Sequence, residues 1–317
     1  MMRFASPRWI LSVAVLVLGC SRQSEPARGR QDEGTPAAAA PAAPLVPASA
    51  TLERVNEVVM DPAHDSLPAD PHEAEMVKLG YQIFRDTKRY AGEYVGNGLS
   101  CANCHLNAGQ RDRALPLVGV AAVFPQYRSR GARLISLEDR IGGCFSRSMN
   151  GTEPPHDSRA MLALAAYISW LSRGQPMGSS PAWRGRNEIP QEKRIPIEKL
   201  DSALGGRIFA QKCAVCHGSD GQGVDLKVAR PGPLWGPQSW NDGAGAARVY
   251  TLAGYVRYAM PLTAPGSLTD EEAQQVAAYI NSQERPAFPG KAKDYPGAEA
   301  PVDAVYYPRY PKNPLRR

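Results

Sequence analysis

"CANCH" at residues 101–105 and "CAVCH" at 213–217 decide the fold. Both are CxxCH, the spacing at which two thiols can form thioethers to the vinyl groups of a haem while the next histidine binds the iron from the proximal side. A zinc or thioredoxin-like reading would need more ligands or a βαβ setting, and it would leave the adjacent histidine unexplained twice. Cys101, Cys104, His105, Cys213, Cys216 and His217 are therefore read as the attachment residues of two covalently bound haem c groups. In this reading His105 and His217 are the proximal iron ligands.

Outward from the two motifs, the chain repeats itself. His105 and His217 lie 112 residues apart, and so do the two copies of "AAYI" at 165–168 and 277–280. Upstream, "LGYQIF" (79–84) matches "LGGRIF" (204–209), with 13 more residues before the first CxxCH than before the second. The "AAYI" segments carry apolar residues at three- and four-residue steps: Met161, Leu164, Ala165, Ile168 and Leu171, then Ala273, Val276, Ala277 and Ile280. Each is expected to be a helix. The second should begin at Thr269 with Glu272 completing a capping box, and the first should begin at Asp157 or Ser158 and stop at Gly174.

A helix carrying Gly and Phe, then CxxCH, then a helix carrying an aromatic, resembles the order in small all-α cytochrome c domains. The resemblance implies an all-α tandem pair of such domains, with the terminal helices of each crossing at Gly80 or Gly205. It also places an axial methionine shortly before the last helix. Met260, 43 residues after His217, fits that position, and His/Met ligation suits electron transfer.

The chain has 317 residues, 43% of them hydrophobic and 21% charged, enough for two small cores. A net charge of +6 favours an acidic redox partner or an anionic substrate. No basic run is interleaved with aromatics, which argues against nucleic acid. Arg3 and Arg8 precede "WILSVAVLVLG", 11 apolar residues, too short to span a bilayer but the length of an export leader's core. "VLGC" resembles a bacterial lipobox, making Cys20 a candidate lipid anchor and the expected location periplasmic, tethered to the membrane. The expected layout is a leader over 1–20, an Ala/Pro-rich linker over 21–50 and a first haem domain over 51–180. A linker over 181–198, a second haem domain over 199–290 and a Pro/Tyr-rich extended tail over 291–317 without a catalytic role complete it. His64 and His72 are expected to be exposed, and Trp183 and Trp235 to pack in cores.

Of six cysteines, Cys144 in "RIGGCFSRSMNG" (140–151) has no obvious partner. It competes with Met149 as distal ligand of the first haem. The 112-residue register carries Met260 onto position 148, one residue from Met149 and four from Cys144, and the residues alone leave the two level. His156 is a further, weaker candidate.

"GNGLSCANCHLNAGQ", "FPQYRSR", "LEDRIGGCFSRSMNG" and "MPLTAPGSLTDEEAQQVAAYINSQERPAFPGKAKDYP" together resemble the dihaem thiosulfate dehydrogenase family, with the SoxA cytochromes as more distant relatives. The resemblance runs from about residue 75 to 295. It implies an enzyme that interconverts thiosulfate and tetrathionate, with Cys144 as the distal ligand and catalytic thiol. Electrons would pass from the first haem to the second and on to an external acceptor, expected to be another c-type cytochrome. It further implies substrate binding by Arg130, Arg140 and Ser148, with Arg147 next in line and Arg128 and Arg133 in the same stretch. Some relatives place a lysine beside the second-haem methionine, where this chain has Ala259. The competing readings are a dihaem electron carrier without substrate chemistry, in which Met149 is the ligand, and a dihaem peroxidase.

Overall fold

The computed structural model describes residues 45–48 and 52–316; the leader, Cys20 and most of the first linker lie outside the described residues. Among the described residues the α-helical segments are, in order, α1 (Pro71–Arg85), α2 (Thr87–Tyr90), α3 (Leu106–Gly109), α4 (Leu137–Arg147), α5 (Arg159–Trp170), α6 (Ser202–Lys212), α7 (Ala214–His217), α8 (Val249–Ala259) and α9 (Asp270–Ser282), joined by short 3-10 turns. The fold is that of two cytochrome c domains, mostly helical. One small hairpin, β1 (Gln126–Arg128) paired antiparallel with β2 (Arg133–Ile135), was not expected from the sequence. Among the described residues no helix is long and apolar enough to cross a membrane.

The helix starts follow their local chemistry. Asp70 caps α1 by accepting from the backbone N–H groups of His72 and Glu73, with Pro71 at the first helical position. Thr269 and Glu272 form the expected capping box of α9, and Ser158 caps α5. α5 ends at Trp170 rather than Gly174. There Ser172 turns its hydroxyl back to the Ile168 carbonyl and accepts the Ala121 N–H, which draws the chain out of the helix early.

α1 packs on α5 and α6 on α9, each pair meeting at a glycine. A Cβ on Gly80 would lie 2.0 Å from the Ala163 carbonyl oxygen, and one on Gly205 would lie 1.9 Å from that of Gln275. Beside each crossing a Phe–Tyr pair repeats: Phe84 with Tyr167 at 5.7 Å and Phe209 with Tyr279 at 5.4 Å between ring centroids. α4 and α8 are likewise equivalent, 11 residues each and 112 positions apart. Apolar residues of both halves join one continuous core, among them Phe84, Phe145, Tyr167, Phe209 and Val276.

Both ends of the described chain are more engaged than composition implied. Val46, from the Ala/Pro-rich linker, is buried and forms a parallel bridge with Arg111. The tail is a run of turns rather than an extended strap, and it buries Asp303, Val305, Tyr307 and Leu315. Apolar side chains spaced among its prolines are what the composition obscured. Trp235 packs between Phe209 and Tyr279, and Trp183 donates its indole N–H to the Val118 carbonyl. His64 and His72 are exposed.

Candidate functional site

The first CxxCH sits in a tight turn anchored from α2. Thr87 gives its N–H to the Ser100 hydroxyl, and its own hydroxyl oxygen accepts the Cys101 N–H. His105 Nδ1 lies 2.6 Å from the Leu115 carbonyl, which makes Nδ1 the donor and leaves Nε2 with its lone pair free for a metal. Burial pulls His105 down to about 4, against the pull of that carbonyl, so the ring is neutral at pH 7. The chain just after it turns left-handed at Asn107 and Ala108, a conformation that non-glycine residues adopt only when neighbours enforce it. Here Asn107 Nδ2 does so, donating to the carbonyls of Arg54 and Glu57, each at 2.7 Å. In the second motif, burial likewise pulls His217 down to about 4.

Both motifs open into one cavity of about 1730 Å3. That exceeds the roughly 300–1000 Å3 of a single small-molecule pocket. Cys104, His105 and Cys144 line it on one side of the sequence, and Cys213, Cys216, His217 and Met260 on the other. Its walls include polar atoms with nothing to bond: the Trp240 indole N–H and the Tyr255 hydroxyl are buried without a hydrogen-bond partner. Buried polar atoms are normally paired, so these two mark where a large bound group supplies the partners. A haem c fits on every count: paired thiols, a neutral histidine beside each pair, an oversized cavity and orphaned donors in its walls.

Cys144 belongs to the last turn of α4, and its sulfur lies 2.9 Å from Arg140 Nη1, one turn earlier on the same face. As free thiols, Cys101 would be pushed up to about 12 and Cys104 to about 11, by burial first and in part by the charge of Cys144. Neither Cys213 nor Cys216 feels that charge, so Cys144 faces the first motif. The equivalence of α4 and α8 sets Ser148 at the position of Met260, each the C-terminal cap of its helix. Cys144 therefore enters from inside the helix, one turn before the methionine's position. Met149 is only 3% exposed and is packed in the core rather than on the cavity wall. His156 is exposed and lies 3.7 Å from Asp139, outside the cavity.

The arginines of this stretch divide sharply. Arg133 pairs with Asp139, and Arg147 makes two 2.7 Å bonds to Asp294 while covering the Phe288 ring at 4.0 Å. Arg128, Arg130 and Arg140 form no ion pair among the described residues, and all three line the cavity with Ser148. Arg130 donates to the Gly243 carbonyl at 2.7 Å and stands 5.9 Å from the Tyr295 ring. Arg128 is held below the usual arginine range by burial and then by the charges of Arg140, Arg184 and Arg130. The sequence reading thus brought Cys144, Arg130, Arg140 and Ser148 to one cavity. It missed Trp240, Tyr255, Asp294 and Tyr295, of which the last two fall in "GKAKDYP", a block that carried the family resemblance.

Residues 88–177 match the family described as SoxA/TsdA, cytochrome c domain, and residues 201–280 match that described as cytochrome C oxidase, cbb3-type, subunit III. The thiosulfate dehydrogenase of Stutzerimonas stutzeri is 46% identical over 232 residues, covering 72% of this chain and 73% of the relative. That of Allochromatium vinosum is 41% identical over 234 residues, covering 72% and 84%. Among solved structures, thiosulfate dehydrogenase (TsdBA) from Marichromatium purpuratum superposes with a TM-score of 0.65 at 40% identity. It covers 71% of this chain, which spans 49% of that longer one. With two CxxCH sites opening on one cavity and relatives of this similarity along most of its length, the chain belongs to the thiosulfate dehydrogenase family, enzymes of the c-type cytochrome class.

Proposed function

We propose that this chain joins two thiosulfate anions into tetrathionate, reversibly, at the thiol of Cys144. The observation that carries the reading is the Cys144 sulfur on the wall shared with the first CxxCH, with Arg140 Nη1 2.9 Å away. Two covalent haem c groups would be held by Cys101, Cys104 and His105 and by Cys213, Cys216 and His217, with Cys144 and Met260 as the further side chains on the cavity wall able to bind iron. When bound, the two haems supply two one-electron acceptors.

The chain's own residues do the rest. Arg140 sets its guanidinium against the Cys144 sulfur, and the thiolate is the form in which a cysteine sulfur is both a good ligand and a nucleophile. A sulfur–sulfur bond forms between Cys144 Sγ and the outer sulfur of a first thiosulfate, two electrons leave, and the adduct keeps one sulfonate charge. A second thiosulfate attacks the outer sulfur of that adduct. Tetrathionate departs with two negative charges and Cys144 is again a thiolate. Arg130 and Ser148 hold the sulfonate end, the planar guanidinium fork suiting three oxygens in a pyramid.

Met260 shares a small apolar cluster with Leu106 and Ala114, which follow the first CxxCH. That proximity supports electron passage from the first haem site to the second, and from there to an external acceptor, another c-type cytochrome. The Arg-flanked leader and "VLGC" support export to the periplasm with Cys20 as a lipid anchor. The layout proposed from the repeat has one haem domain over 51–180 and a second over 199–290.

Steady-state thiosulfate oxidation with an artificial acceptor tests the reading, comparing wild type with Cys144→Gly after both are shown to carry two haems. The expected fall in rate is at least ~1000-fold, the scale of losing a nucleophile. A variant that keeps its rate removes Cys144 from catalysis. A wild type silent in both directions returns the chain to electron carriage alone.

A further inference from the structure

Two thiosulfates bring four negative charges to one thiol, and the cations nearest it are already engaged. Arg140 is turned to the sulfur itself, and Arg130, anchored on the Gly243 carbonyl and beside the Tyr295 ring, is assigned above to the sulfonate of the first thiosulfate. Arg128 is the cation left over. It ends β1, lines the cavity, is half-buried, and its side chain makes no hydrogen bond or ion pair among the described residues. The charges within its reach are those of Arg140, Arg184, Arg130 and Cys144, with no carboxylate among them. Gln126, on the same face of the strand two residues earlier, accepts from Arg184 Nη2 at 3.2 Å and so keeps a second guanidinium on this side of the hairpin. A half-buried arginine surrounded by other arginines is costly unless an anion completes the set.

We infer that Arg128, backed by Arg184, forms a second oxyanion subsite that holds the sulfonate of the thiosulfate attacking the Cys144 adduct. The inference rests on the Cys144 chemistry proposed above. In the step concerned, the bond between the two outer sulfurs forms as the bond to Sγ breaks. The electron pair of the broken bond returns to Sγ, and no proton moves and no oxidant is needed. Arg128 is thus a substrate-positioning residue of the second half-reaction. The first half-reaction, adduct formation with loss of two electrons that bound haems would accept, relies on Arg140.

The two halves can be timed separately in wild type, Arg128→Gln and Arg128→Lys, each with matched haem content. One equivalent of thiosulfate is added, and the Cys144 adduct is followed by intact-protein mass spectrometry alongside optical haem reduction. Excess thiosulfate is then added, and adduct loss and tetrathionate release are followed. In Arg128→Gln the adduct should form within about 3-fold of the wild-type rate but be consumed ~10–100-fold more slowly, with higher thiosulfate concentrations restoring part of the rate. Arg128→Lys should recover most of it. Equal slowing of both halves, slowing of neither, or a lysine variant no better than glutamine overturns the subsite. A wild type that forms no adduct overturns the Cys144 chemistry first and the subsite with it, a pattern distinct from the other three.

Discussion

Arg147 is three residues from Cys144, yet its charge belongs to the scaffold. Burial works against its guanidinium, and Asp294 more than restores it, so the cation is firmly held by its acid although both line the cavity. Asp294 also accepts the Tyr307 hydroxyl, tying the start of the tail to the end of α4. Removing the acid leaves a largely buried cation unpaired. Asp294→Ala should therefore cost about 3–5 kcal/mol in denaturant unfolding, and adding Arg147→Met should recover part of it. A loss under about 1 kcal/mol would mean the pair behaves as a solvated surface contact. Residues of this kind set the limit of sequence reading. The CxxCH sites were legible because their chemistry is written within five positions, and Cys144 stood out because five other cysteines had uses. Arg147 looked like a substrate ligand because its partner sits 147 positions away, a separation at which sequence pattern says nothing.

At the scale of elements, the duplication carried most of the fold. The shared spacing of "AAYI" placed α5 and α9 correctly, the two glycines marked the crossings, and local capping residues fixed the starts. Gly205→Ala tests the second crossing: its Cβ would meet the Gln275 carbonyl oxygen at 1.9 Å and the Tyr279 Cβ at 2.9 Å. Backbone cannot step aside as a side chain can, so α6 must lift from α9. The expected cost is about 3 kcal/mol, at the upper end for overpacking, read from the thermal or denaturant midpoint of the haem-loaded protein. A neutral result would show the helices cross with slack. What the pattern could not supply was β1–β2, whose three-residue strands are too short to show a period. The hairpin nevertheless delivers Arg128 and leads into Arg130, so part of the candidate site depended on an element below the resolution of periodicity. The choice between Cys144 and Met149 had the same origin. Register pointed to position 148, and only the three-dimensional course of α4 shows the methionine packed in the core and the thiol on the wall.

Across the whole molecule, the tail anchors the start of α8. Asp303 is 1% exposed at its side chain, accepts from Arg248 at 2.7 and 3.0 Å, and takes the Tyr250 N–H at 3.1 Å. Its backbone carbonyl also takes the Val249 N–H. α8 has no side-chain cap of its own, so a carboxylate 53 residues downstream of Tyr250 occupies the place where a helix's orphan N–H groups and positive dipole end need one. At the other end of α8 stands Met260. Replacing Asp303 with Ala strips the cap and leaves Arg248 without its acid, which predicts a loss of about 3–5 kcal/mol. Because the damage enters through α8, it should surface first at the second haem site: an optical titration with denaturant should show the second haem's ligand band lost before the first's. Simultaneous loss of both bands at an unchanged midpoint would mean the tail lies on the surface, as its proline-rich composition suggested, and that α8 holds Met260 without help.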